Sequence, residues 1–143
     1  MPMIDVYASE GTFSDTRKLA QDLASAVMRW EQVPNLALFR DNTVAFIHEM
    51  PSTAICTVAG RNDYIRVQVL TPVGALDRDK QLAVVSQFTE LITAATADTS
   101  MSNRTWVLLT EAVDGGWGLA GHAHTNAELV DAARAEIAEL SSK

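Results

Sequence analysis

Pro2 follows Met1 directly and opens the run Met3-Ile4-Asp5-Val6-Tyr7-Ala8. Proline has no amide donor, so a strand tolerates it at its first position. Aminopeptidases normally remove the initiator methionine when a small residue or proline follows, and the ring nitrogen then becomes a free secondary amine at the edge of a folded core. A free α-amino group titrates near ~8 in peptides, and proline's amine is intrinsically more basic. An apolar pocket disfavours the charged form and draws the value toward neutrality, where a general base works best. Pro2 is thus the leading candidate for proton-transfer chemistry; the competing reading is a proline that merely ends a strand.

Other side chains could assist such an amine. Arg40, Arg66 and Arg104 are candidates for holding a substrate carboxylate, which a guanidinium grips through two hydrogen bonds. Which of the three does so stays open. Tyr7 and Tyr64 could donate a phenolic hydrogen bond to a developing enolate or pack as core aromatics. His122 and His124 form a His-x-His pair, but no acidic or cysteine partner stands at ligand spacing in the sequence, so no metal site is expected. Cys56 is the only cysteine and has nothing nearby to lower its pKa, so it reads as inert.

The elements that would position these residues repeat. Residues 3–9 alternate like a strand, Gly11 and Ser14-Asp15 mark a turn and a helix start, and Leu19, Leu23, Val27 and Trp30 trace an apolar stripe. Residues 43–49 then form a second strand. The later half has the same order: a strand at 65–70, Gly74 and Asp77 as turn and cap, a helical stripe of Leu82, Val85, Phe88 and Ile92, and a strand at 105–111. A shift of 63 residues carries Pro2 onto Ile65, Gly11 onto Gly74 and Leu19 onto Leu82; a shift of 62 carries Glu49 onto Glu111.

The fold class expected is therefore α/β (α+β). Two tandem β-α-β units, about 2–50 and about 64–121, form one four-stranded sheet with two long helices on one face. Residues 51–63 are a linker or hairpin between them. Each crossover should be right-handed, with its two strands parallel. A C-terminal helix over about 125–141 starts at a Thr125-Asn-Ala-Glu128 capping box and carries Leu129, Ala133, Ile137 and Leu140 on one stripe. The whole reads as one domain. The sheet's uncovered face predicts self-association.

Bulk properties bound the function. The chain has 143 residues, 48% apolar and 20% charged, with a net charge of −7 that argues against nucleic-acid and anionic-membrane partners. It has no bilayer-spanning apolar run and no signal-peptide pattern at its start, and its single cysteine excludes an internal disulfide; a cytoplasmic protein is expected.

Pro2 with its strand, Glu10-Gly11 after it, the strand ending Glu49-Met50, and the segment from Glu111 through Trp117 to Gly121 resemble the tautomerase superfamily, founded on 4-oxalocrotonate tautomerase. The resemblance covers nearly 120 residues and is to the long, fused members, including cis-3-chloroacrylic acid dehalogenase and malonate semialdehyde decarboxylase. It implies a homotrimer of two-repeat chains in which only the first repeat keeps the catalytic proline. It also implies cofactor-independent keto–enol proton transfer on a small 2-oxo acid or its enol, with Pro2 as general base and acid. Trp117, between glycines, would then wall the pocket and favour neutral Pro2, or else cover the core as a hairpin aromatic. The alternatives are a Pro2-dependent hydratase or dehalogenase of a small unsaturated acid and a non-catalytic small-molecule binder of the same fold. The family's arginine positions hold Thr12 and, approximately, Val44 here.

Overall fold

The computed structural model describes residues 1–143. Alternation decides its centre. In β1 (Met3–Ser9) Ile4, Val6 and Ala8 turn to one face and are fully buried. In the first of the later strands, Ile65–Pro72, the residues Ile65, Val67 and Val69 do the same. The two strands pair antiparallel, with Val6 opposite Val67 and Ile4 opposite Val69. The outer strands each join parallel to the strand that precedes them in sequence. Val44–Met50 is β2 and lies beside β1; Ile65–Pro72 is β3, and Thr105–Ala112, β4, lies beside it. The sheet order is β2-β1-β3-β4, the four-stranded arrangement the repeat implies.

One sheet face is covered by α1 (Thr16–Glu31) and by the long helix Arg78–Thr96. Asp15 and Asp77 cap them by accepting from the backbone N–H of Lys18 and Lys80, at 3.0 and 2.9 Å. Leu19, Leu23, Ala26 and Val27 from α1 meet Val84, Phe88 and Ile92 from the second helix in a core with the inward residues of β1 and β3. Trp30 packs against that core and its Nε1 donates to Gln87 Oε1 at 2.6 Å. One expected core residue moves out. Leu82 is 54% exposed, and Val84, four residues before Phe88, takes the buried position. The i, i+4 row of Val84, Phe88 and Ile92 sets the helix phase, leaving Leu82 over the edge of the sheet.

Between α1 and β2 lies a short helix absent from the sequence expectation, α2 (Ala37–Asp41); in chain order the helix Arg78–Thr96 is then α3. Residues 51–63 form a linker: a single 3₁₀ turn at Ser52–Ala54 and no strand pairing. After β4 the chain makes a small antiparallel hairpin, β5 (Trp117–Leu119) with β6 (His122–His124), and ends in α4 (Asn126–Ser141). Thr125 caps α4 by accepting from the Glu128 N–H at 3.2 Å. The reciprocal half of the capping box does not form, because the Glu128 carboxylate lies against His122 Nε2 instead. Leu129 and Ala133 are buried, whereas Ile137, on the rim of a cavity, and Leu140 stay exposed.

The other sheet face is uncovered, with Phe46, Trp106 and Leu108 42–50% exposed. Core truncation separates the two helix readings. Phe88→Ala is expected to cost about 3–5 kcal/mol, and Leu82→Ala under about 1 kcal/mol, in urea unfolding.

Candidate active site

The site grows from the start of β1. The Val44 N–H donates to the Pro2 carbonyl at 3.3 Å, so the sheet fixes the backbone at the proline. Pro2 is fully buried, and the Met1 side chain beside it is buried as well. Met1 belongs to a second apolar cluster with Leu36, Phe39, Trp117, Leu129 and Ala133, distinct from the main core. These residues come from the α1–α2 connection, α2, β5 and α4, four segments brought together over one end of the sheet.

The roof is held by polar contacts at its edges. Both Glu136 carboxylate oxygens, on α4, accept backbone N–H bonds from Ala37 and Leu38 at 2.8 and 3.0 Å. These are the free amides opening α2, where a carboxylate is well placed. Asn126 Nδ2 donates to the Val73 carbonyl at 2.9 Å, and Asp114 accepts from the Asn126 N–H at 2.7 Å. Beneath this roof is a cavity of about 450 Å³ whose lining includes Met1, Glu31, Phe39, Leu129, Ala133 and Arg134.

Glu31 is the residue the sequence did not single out. It ends α1 with its side chain only 3% exposed, and its Oε1 accepts from the Met1 ammonium at 3.1 Å. Burial pushes its carboxyl above the usual range, against the opposing pull of the terminal ammonium and, more weakly, of Lys80. No spacing rule marks it, since a glutamate in a last helical turn ordinarily reads as solvated.

The expected site residues divide between the two ends of the sheet. Trp117 joins Met1 in the apolar cluster above Pro2. Arg40 is on α2 at the same end but turned away: its Nη1 donates to the Asn35 carbonyl and Oδ1 at 2.8 and 2.9 Å, and it lines a separate groove with Arg17 and Thr43. Tyr7, Arg66 and Arg104 lie at the far end. Tyr7 is opposite Arg66 in the ladder, roughly 17 Å along β1 from Pro2 at ~3.3 Å per residue. The Arg66 guanidinium sits 5.5 Å above the Tyr7 ring, which stacks on His48 at 4.4 Å. Arg104 ties down the Asp63–Asp98 corner, meeting Asp98 at 3.0 Å and Asp63 at 3.3 Å. Within one chain none of these three reaches Pro2. For Arg66 and Arg104 the antiparallel β1–β3 pairing is the reason, because it puts the start of β3 opposite the end of β1; Tyr7 simply lies five residues further along β1.

That far end is where the second repeat would have its own site. Ile65 stands there fully buried in place of a proline, and the cavity beside it is only about 180 Å³. Tyr64 stacks on Trp106 at 4.8 Å, away from Pro2.

The histidine pair also changes meaning. The fold brings Glu128 to His122 and His124, so that one ligand atom from each lies within 4.8 Å of the others. The acidic partner missing from the local sequence is thus supplied by the first turn of α4. These three residues are the set that could hold a metal ion.

Against known proteins, the likeness is one of fold. No protein-family model and no curated protein matches the chain. Solved structures do. A native fused 4-OT is similar at 16% identity with a TM-score of 0.71, over 90% of this chain and 98% of that one. A fused 4-OT forming a symmetric trimer is similar at 13% identity and TM-score 0.69, over 84% and 93%. FG41 malonate semialdehyde decarboxylase, inhibited by 3-bromopropiolate, is similar at 15% identity and TM-score 0.63, over 86% and 92%. The chain shares the fold of these structures over most of its length.

Glu31 generates a pH prediction for the methionine-bearing chain. Its native carboxyl holds a proton more tightly than the unfolded chain's does, so stability falls as pH rises from the ordinary carboxyl value through the raised one. Glu31→Gln should flatten that slope in thermal melts between about pH 4 and 7. Glu136→Ala should cost about 1–2 kcal/mol and speed amide exchange at Ala37 and Leu38, by freeing the amides that open α2.

Proposed function

We propose that the chain, once it begins at Pro2, is a cofactor-independent tautomerase acting on a small 2-oxo acid or its enol. The observation that carries this reading is the burial of the amino terminus in an apolar cluster that includes Trp117, beside a cavity lined by Phe39, Leu129 and Ala133. The apolar walls favour the neutral, proton-accepting form of a secondary amine there, against the pull of the Glu31 carboxylate. The fold shared with fused 4-OT structures is consistent with it.

In the proposed reaction the Pro2 nitrogen takes the proton of the enol hydroxyl. The O–H bond's electrons become the carbonyl π bond, and the C=C π electrons take a proton back from the Pro2 ammonium at carbon. The amine is regenerated, and no redox partner is involved. The substrate carboxylate faces the mouth, where the largely exposed Arg134 lines the same cavity whose base holds Glu31. Arg134 stands in this reading where the three arginines named from sequence stood.

Two other readings rest on particular observations. A buried carboxylate beside the amino terminus would suit addition of water to an unsaturated acid. A retained Met1, packed in the apolar cluster beside Pro2 and capping its nitrogen, would make the protein a non-catalytic binder. Intact mass and product analysis separate them.

The exposed aromatic face of the sheet supports a homotrimer, the assembly of the symmetric fused 4-OT. Sedimentation should give a trimer, and Trp106→Glu should shift it toward monomer.

Ketonisation of phenylenolpyruvate tests the chemistry. Pro2→Ala should lose about 10²–10⁴-fold in kcat with its circular dichroism and assembly unchanged. Arg134→Ala should raise KM about 5- to 10-fold and leave kcat near the parent value. Parent-like turnover in Pro2→Ala would sink the reading.

A further inference from the structure

Glu31 has no role in the proton transfer just described, yet it is the buried acid nearest the chain's amino terminus. Its position follows from α1: the helix ends there, its last turn faces the cavity, and the carboxylate meets the Met1 ammonium with both side chains shut off from solvent. A buried carboxylate is costly unless an ionic partner meets it. The partner here is the terminus itself.

Removal of Met1 moves that terminus only slightly. The sheet holds Pro2 through the Val44 N–H and holds Met3 onward through the β1–β2 ladder, none of which involves Met1. Successive backbone nitrogens are separated by three covalent bonds, roughly 3–4 Å. The Pro2 nitrogen therefore lies within about 7 Å of the Glu31 carboxylate before any adjustment. The volume between them is the volume the methionine leaves.

We propose that Glu31 is the acid–base partner of the Pro2 amine: it takes the place at the Pro2 ammonium that it holds at Met1, and the two groups share one proton. The proposal rests on the reading of Pro2 as the proton carrier. Glu31 is a positioning residue in it, acting through the amine and not on the substrate.

The surroundings favour this pairing. The carbonyl ends of the last α1 turn point the negative end of the helix dipole toward the same spot, which also favours a cation. Few other charges compete. Lys80 on α3 acts weakly on Glu31, Arg134 on α4 lines the outer cavity beside Asp131, and Arg40 on α2 is turned to Asn35. From the strands at this end β4 brings Glu111, opposite Thr71 and exposed to solvent, besides Pro2 itself. Two groups so close titrate as a pair, holding one proton over a wide pH range. That proton resides on nitrogen when the cation is needed to protonate carbon, and on the carboxyl when the free amine is needed. The arrangement also orients the substrate: an acid at the base repels a second carboxylate, so a monoacid enters with its charge outward and a dianion is disfavoured.

The test uses protein shown by intact mass to begin at Pro2 and labelled with ¹³C-proline. The Pro2 carbon shifts, followed against pH, read the amine's titration without any need for turnover. Glu31→Gln should lower the Pro2 pKa by about one to two units, because the neighbouring negative charge is lost. The acid limb of kcat/KM for phenylenolpyruvate should move down with it. Glu31→Asp should restore most of the parent value and controls for a packing defect. Pro2 titrations of Glu31→Gln and parent that agree within about 0.3 unit would overturn the proposal. The outcomes are separable: a Pro2→Ala variant that keeps parent activity defeats the tautomerase reading, while the titration still decides the pairing.

Discussion

The antiparallel register of β1 on β3 is the constraint on which the rest depends. Val6 opposite Val67 and Ile4 opposite Val69 place six inward apolar side chains, with Ala8 and Ile65, under two helices at once. A slip of one residue would turn every one of them to the other face. With that pairing set, the parallel partners β2 and β4 can add only at the outer edges, and both crossovers put their helices on the same side. The register also places the start of β1 and the start of β3 at opposite ends of the sheet. A two-repeat chain so arranged has two candidate site positions, not one.

The two ends have diverged physically. At the Pro2 end, segments from outside the repeat pattern (α2, the β5–β6 hairpin and α4) build a second apolar cluster over the terminus and leave a cavity beneath it. At the Ile65 end, the corresponding volume is small, and the surroundings are taken up by Arg61, Asp63, Asp98 and Arg104 in mutual ion pairs. Hydrogen bonds from Arg61 hold the Asp63 carboxyl below the ordinary range, and those from Ser100 do the same for Asp98. These exposed pairs contribute little stability singly, but they commit Arg104 to a structural corner. One end is therefore a cavity with an acid at its base, and the other is a closed joint.

Burial of the terminus matters for the same reason. A charged amine and a carboxylate together in an apolar enclosure interact in a low effective dielectric, where burial raises the Glu31 carboxyl and the ammonium pulls against that rise. In solvent the same two groups would be nearly independent. The roof over them is held by Glu136 on the α2 amides and by packing of Leu129 and Ala133, so the chemistry at the terminus and the docking of α4 are one problem.

The sequence by itself determined the repeat, the strand and helix order, the helix caps at Asp15 and Asp77, and Pro2 and Trp117 as residues of interest. Each of those rests on local spacing: period two for strands, 3.6 for helices, and side chains that satisfy the amides beside them. Local spacing left out what depends on pairing at a distance. The helix α2 has only five residues, too short for a periodic signal, and its first amides are satisfied by Glu136, about 100 residues away. Leu82 looked like core until the phase of α3 was fixed by contact with α1 and the sheet. Tyr7 read as a partner of Pro2 from its phenol alone, and Arg66 and Arg104 because internal repetition says which positions are equivalent but not which are adjacent. Glu31, Arg134 and the Glu128 that joins the histidine pair became visible only in three dimensions, where α1, α4 and the hairpin converge. A charged residue's meaning is set by what surrounds it, and that is decided by the tertiary fold.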